Sequence, residues 1–301
     1  MKLEGRREST NVEDRRGMSG GTVAGVLGGG GIIGIIIYLI ASFMGGGSGS
    51  STGDILGNVL GSVIEQTISP SGQETTTGGE FTAEEQELAK FSRQILASTE
   101  DVWSAYFQKN KLGTYRNPTL VLYTGATQTS CGTGQSAMGP FYCSADEKLY
   151  IDLSFFSTMK KQIGADGDFA YAYVIAHEVG HHVQNLLGTL GKAHNQMARL
   201  NTEQANQISV RIELQADFYA GLWGYYEKTS FGSLEDGDLE EAINCASKIG
   251  DDYLQKKAQG YAVEESFTHG KASQRMKWLK KGLTTGDIRQ GDTFSPAYNQ
   301  L

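Results

Sequence analysis

The stretch AYAYVIAHEVGHHVQNLLG, residues 170–188, sets four polar groups, His177, Glu178, His181 and His182, inside an otherwise apolar helical pattern. A buried helix face carries such groups only when they have partners, so they either coordinate something or are bonded within the fold. His177 and His181 are four positions apart, which puts both imidazoles on one face of a helix, a turn from each other and able to share one metal ion. Glu178, on the adjoining edge, is placed to take a proton from an activated water without being a ligand. Gly180 costs about 1 kcal/mol of helix propensity relative to alanine, which points to close approach by another element at that position. His182 points about 100° away around the helix and reads as a structural neighbour hydrogen-bonded to a carbonyl.

A hydrolytic zinc site needs a third protein ligand and an open fourth position. RIELQAD, residues 211–217, offers Glu213 and Asp217 on one helical face. Glu213 completes a two-histidine, one-carboxylate set, and Asp217 is placed to hold the other ring nitrogen of a ligand histidine. The competing readings are an acidic face paired with Arg211, and Glu203 as the third ligand. His269 precedes a helix, with Arg275 shortly after it. Either could donate to an oxyanion formed on a peptide carbonyl, and a helix-capping loop with a surface histidine accounts for the same residues. His194 falls in a predicted loop and Cys245 stands alone, so neither receives a role.

Outward from the motif, apolar residues recur at helical spacing in FTAEEQELAKFSRQILASTEDVWSAYFQKN (81–110), with Thr82 and Glu85 in capping-box positions. PTLVLYTG (118–125) and FYCSADEKLYIDLSFF (141–156) read as strands of a short sheet. A helix is expected from Asp168 to Gly188, another from about Asn201 to Lys228, and one each in LEEAINCASKIGDDYLQKKAQ (239–259) and KASQRMKWLKKG (271–282). Cys131 and Cys143 lie 12 positions apart in CGTGQSAMGPFYC, a loop that a disulfide closes readily in an oxidising compartment.

The chain has 301 residues, a formal charge of −8 and 40 glycines, most of the glycine excess lying before residue 80. The acidic balance argues against nucleic acid as a partner. Residues 18–44 carry no charge and end in IIGIIIYLIASFM, a length that suits one transmembrane helix. Four arginines (Arg6, Arg7, Arg15, Arg16) precede it, and no lysine or arginine follows until Lys90. That asymmetry predicts a cytoplasmic segment 1–17 and, beyond a flexible Gly/Ser/Thr-rich linker 45–79, an extracytoplasmic folded domain 80–301 that carries the zinc motif. A cleaved signal peptide is the rival reading.

HEVGHHVQ (177–184), ELQADFYAGLW (213–223), the opening EGRRESTNVEDRRG (4–17) and GPFYCSADEKLYIDLSFF (139–156) together resemble the neutral zinc metallopeptidase family of bacterial membrane-anchored proteins. The resemblance covers nearly the whole chain. It implies an α+β, zincin-like domain with a small antiparallel sheet and an active-site helix, in which one zinc ion is held by His177, His181 and Glu213 with Glu178 as general base. THGKASQR (268–275) also looks like the T-H-P-x-x-x-x-R stretch of membrane-associated zinc peptidases, with Gly270 where those carry proline. The expected function is hydrolysis of peptide or protein substrates at the bacterial cytoplasmic membrane. The alternative is a membrane-tethered zinc-binding assembly factor without turnover, which a closed, four-ligand zinc shell would reveal.

Overall fold

The computed structural model describes residues 1–17 and 81–301. The expected transmembrane helix 18–44 and linker 45–79 lie outside the described residues. Among the described residues no helix is long and apolar enough to cross a membrane.

The fold is α+β. A long helix α1 (Ala83–Asn110) opens with a complete capping box: Thr82 accepts from the Glu85 amide at 3.2 Å while the Glu85 carboxylate accepts from the Thr82 amide at 2.8 Å. It is a single helix. Its face bearing Ile95, Leu96, Trp103 and Phe107 is buried, and truncating Trp103 to alanine would cost about 3–5 kcal/mol.

Strand β1 (Val12–Asp14) comes from the N-terminal segment. After α1 follow β2 (Thr119–Tyr123), a hairpin of β3 (Ala126–Thr129) and β4 (Gly132–Gln135), then β5 (Phe141–Cys143) and β6 (Lys148–Asp152). The four-stranded sheet has the order β1-β2-β6-β5. Here the expectation of a small antiparallel sheet is corrected: β1 runs parallel to β2 and β2 parallel to β6, and only β5 is antiparallel to its neighbour. The β3–β4 hairpin and β5 intervene between β2 and β6, so that β6 re-enters in the direction of β2. Leu120, Leu122, Leu149 and Ile151 point from β2 and β6 into the main core; Val121, Tyr123 and Tyr150 form a smaller cluster on the other face.

The second half is helical: α2 (Ser154–Thr158), α3 (Asp168–Leu186), α4 (Thr189–Met197), α5 (Thr202–Tyr226), α6 (Asp238–Lys248), α7 (Asp251–Gln259) and α8 (Ala272–Thr284). Ala172, Ile175, Val179 and Val183 bury one stripe of α3, and most of the rest of this helix is buried too, which makes it the centre of the domain. α5 begins at the Asn201 cap, whose side chain accepts from Gln204, and packs along α3 and α8. The single helix expected over 239–259 is broken at Gly250, where a side chain would collide with the Ala272 backbone.

The largest departure from the sequence reading concerns residues 1–17. They were expected as a segment separate from a domain beginning at residue 80, and they instead pack into it. Val12, Glu13 and Asp14 pair in register with Leu120, Val121 and Leu122. Arg6 donates to Glu227, a fully buried carboxylate, at 2.8 and 3.2 Å. Ser9, Asn11 and Arg7 converge on buried Glu100 at 2.5, 2.7 and 2.9 Å, and Gln94 donates to the Leu3 and Arg6 carbonyls. Local composition made the arginines look like a charged tail, whereas Arg6 and Arg7 find partners 221 and 94 positions away, and Arg15 and Arg16 pair with Glu13 and Asp14 of β1.

Candidate metal centre

α3 and α5 cross so closely that a side chain at position 180 would meet the Ala216 carbonyl oxygen at 2.9 Å. Glycine at 180 is therefore the residue that lets the two helices bring their polar groups together. His177 Nε2 lies 3.1 Å from Glu213 Oε2 and His181 Nε2 lies 3.4 Å from Glu213 Oε1. Ligand atoms of these three residues all fall within 4.8 Å of one another. Such a cluster matches the two-imidazole, one-carboxylate donor set of an open zinc site.

The outward ring nitrogens are committed elsewhere, which leaves the Nε2 atoms to converge on Glu213. His177 Nδ1 bonds Asp217 Oδ1 at 2.8 Å. Asp217, fully buried, also accepts from Tyr173 at 2.6 Å and from the Arg275 guanidinium at 2.8 and 2.9 Å. Burial alone would raise the Asp217 carboxyl, but the facing Arg275 charge and its hydrogen bonds bring it down to about 2, so it stays ionised against His177. Burial would lower the His177 imidazole, yet Asp217 and Glu213 carry it to about 10, so a metal arriving here must displace a proton. His181 Nδ1 bonds Gln184 Oε1 at 2.9 Å, and Gln184 is itself held by the Ile212 carbonyl and by Gln215. Both imidazoles are thus oriented from behind.

Glu178 is buried in the same pocket, and burial raises its carboxyl above the ordinary value. A carboxylate so shifted moves toward neutrality, where a general base works best. His182 is fully buried on the far side: its Nε2 bonds the Arg116 carbonyl at 2.6 Å and its Nδ1 bonds the Tyr142 hydroxyl at 2.9 Å. This is the structural partnership the sequence suggested.

His269 reaches the pocket from the loop ahead of α8. Asp251, at the start of α7, accepts the backbone amides of Thr268, His269 and Gly270 at 2.8, 2.7 and 3.0 Å and lies 3.3 Å from His269 Nδ1. Burial would lower the His269 imidazole, but Glu213 and Asp251 raise it above its usual value. Arg275 is not available to substrate, because its guanidinium is spent on Asp217, Tyr173 and the Ile249 carbonyl. Glu203, the competing third ligand, is exposed on the first turn of α5. Arg211 bonds the carbonyls of Thr293, Phe294 and Pro296, so the reading of Glu213 and Asp217 as a surface face paired with it does not hold.

Sequence reasoning missed three polar residues. Gln184 acts on His181 from within α3, and Asp251 acts on His269 from α7. His194, expected in a loop, sits on α4 and lines the pocket. The i, i+3 relation of His181 and Gln184 was the one available signal. Cys131 and Cys143 form a disulfide that ties the β3–β4 hairpin to β5, and Cys245 is buried, its thiol pushed up to about 12 by desolvation. The pocket has a volume of about 370 Å³ and an apolar wall that includes Met138, Phe141, Tyr142, Phe155, Met159 and Leu190.

The family model described as "Putative neutral zinc metallopeptidase" matches residues 1–294 of the chain. The Escherichia coli (strain K12) "Uncharacterized protein YpfJ" is 48% identical over 301 residues, covering 98% of this chain and 99% of that one. The Mycobacterium tuberculosis (strain H37Rv) "Uncharacterized protein Rv2575" is 43% identical over 210 residues, covering 66% of this chain and 68% of that one. No solved structure matches the chain. With the match running from the first residue through both site helices, the chain belongs to the neutral zinc metallopeptidase family.

Proposed function

We propose that the protein is a zinc-dependent endopeptidase that binds one zinc ion through His177, His181 and Glu213. The observation that carries this reading is the convergence of these three donors, each imidazole braced at its other nitrogen, beside buried Glu178. When bound, the ion supplies Lewis acidity toward the peptide carbonyl and makes water acidic enough to be deprotonated near neutral pH. Glu178 takes the proton from the attacking water and passes it to the leaving amine. His269, oriented by Asp251, donates to the oxyanion that develops on the carbonyl. The edge strand β5 lines the pocket through Phe141 and Tyr142, and an extended substrate adds to it as a further strand. The apolar wall beside it accommodates substrate side chains.

A zinc ion kept for structure is closed by four protein ligands. Among the described residues no fourth histidine, cysteine or carboxylate joins the three, which favours turnover over the binding-factor reading. We put the domain outside the bacterial cytoplasmic membrane, tethered through the apolar stretch 18–44, because the Cys131–Cys143 disulfide suits an oxidising compartment. The deciding experiment is metal analysis of the full chain coupled to digestion of a peptide library with and without chelator. One zinc per chain with chelator-sensitive cleavage is expected; metal-free protein without cleavage sinks the proposal.

A further inference from the structure

We infer that residues 1–17 and the catalytic domain share one side of the membrane, and that the patch around Arg16, Gly17 and Phe81 is the face the domain turns to the bilayer. Strand pairing decides the first half. Paired strands lie about 4.8 Å apart, whereas the hydrocarbon core of a bilayer is about 30 Å thick, so β1 cannot pair with β2 from the opposite side. The pairing is continued by the Leu120 amide onto the Asn11 carbonyl at 2.9 Å and by the Arg15 amide onto the Leu122 carbonyl at 2.7 Å.

The arginines that make the opening look like a cytoplasmic anchor flank are all engaged with carboxylates: Arg6 with Glu227, Arg7 with Glu100 and Asp101, Arg15 with Glu13, Arg16 with Asp14. Undocking the segment would leave Glu227 and Glu100 buried without their cation. A single crossing between Gly17 and Phe81 is therefore incompatible with the fold, and the chain leaves the domain and returns to it on one side.

The points of departure and return coincide. The Arg16 guanidinium lies over the Phe81 ring at 4.1 Å and donates to the Glu85 carbonyl at 3.1 Å. Gly17 has φ +71, and a side chain there would touch the Phe81 ring at 3.5 Å. The uncharged run begins with the next residue, Met18, so no spacer separates this patch from the apolar stretch. An apolar run engaged with lipid draws that patch against the membrane. The inference is independent of whether the site turns over.

Site-directed thiol labelling of the full-length protein in intact cells tests it. Thr10→Cys and Lys109→Cys, both at exposed positions, are treated separately with a membrane-impermeant maleimide before and after lysis, with the parent protein, whose one free thiol Cys245 is buried, as control. Both variants should label together, and before lysis if the shared side is the outer one; labelling of one without the other overturns the inference. A short bismaleimide on a Glu8→Cys/Arg93→Cys pair, whose native side chains meet at 2.6 Å, should crosslink within one chain. No crosslink, or a crosslink only between two copies, overturns the intrachain docking. Recovery of the protein in the soluble fraction overturns the membrane-facing patch.

Discussion

The α3–α5 crossing and the N-terminal segment are both polar constructions buried in one domain, yet they reveal themselves in opposite ways. At the crossing, the functional groups are spaced four apart on two helices, His177 with His181 and Glu213 with Asp217, so the helical period alone puts them on common faces. In the segment 1–17, the charged groups that dock it find partners far along the chain, Arg6 at Glu227, Arg7 at Asp101 and Glu13 at Lys148. Periodicity reports what neighbours in sequence can share; it is silent about which distant carboxylate will receive an arginine. The same arginines that look like a topogenic signal are structural ion pairs.

The sharpest way to break the comparison is to separate catalysis from stability at the crossing. Glu178→Gln keeps the size and burial of the side chain but removes its basicity. Cleavage should fall by about 10³-fold or more, within the range assigned to general-base catalysis, while metal analysis still finds zinc bound. A variant that cleaves as well as the parent would remove Glu178 from the mechanism.

The N-terminal segment should respond in the reverse sense. Arg6→Ala leaves the Glu227 carboxylate buried without its cation, at a cost of about 3 kcal/mol, in the range for breaking a buried pair. Thermal unfolding of the full chain should show the loss, and kcat/KM per folded molecule should stay close to the parent's. If activity falls with no change in stability, the segment acts on the site directly, and the division drawn between the two regions is wrong.

A smaller effect tests the support behind His181. Gln184 was invisible as a site residue because glutamine reads as a neutral helix former; its role comes from the Ile212 carbonyl and Gln215 of the neighbouring helix, which fix its amide so that Oε1 faces His181. Gln184→Ala should weaken zinc binding about tenfold, measured by competition with a chelator, with little change in the circular dichroism of the domain. Unchanged affinity would mean that packing alone orients the imidazole.

The legible part of the fold has a common physical basis. The capping box at Thr82 and Glu85, the Asn201 cap and the stripe of Ala172, Ile175 and Val179 are local patterns, and each produced the element expected. The break at Gly250 comes from the distant Ala272 backbone, and the parallel order of β1, β2 and β6 from the N-terminal strand that adds to β2 and from the hairpin and β5 that intervene between β2 and β6. Asp251 belongs with these. As one of two acidic residues opening α7, nothing marked it until the loop bearing His269 folded over it.

The weakest expected effect probes the surface of the N-terminal segment, where ion pairs are partly exposed. The Lys148 ammonium, with Arg15 adding to it against a burial cost, holds the Glu13 carboxyl below its ordinary 4.5. Burial would raise Asp14, but the bonds from Arg16 at 2.6 and 2.9 Å hold it below its ordinary 3.8. Both groups are more strongly acidic folded than unfolded, so their contribution is complete above about pH 4.5 and is lost as the pH falls through the folded values. The side chains of Glu13 and Asp14 are 39% and 38% exposed, so solvent screens the pairs and the effect is small. Hydrogen exchange of the β1 and β2 amides should accelerate as the pH is lowered through this window, after correction for intrinsic rates, with α3 still protected. The Glu13→Gln variant should lose part of that dependence, and an equal loss of protection in α3 would show instead that the segment and the site helices open as one unit.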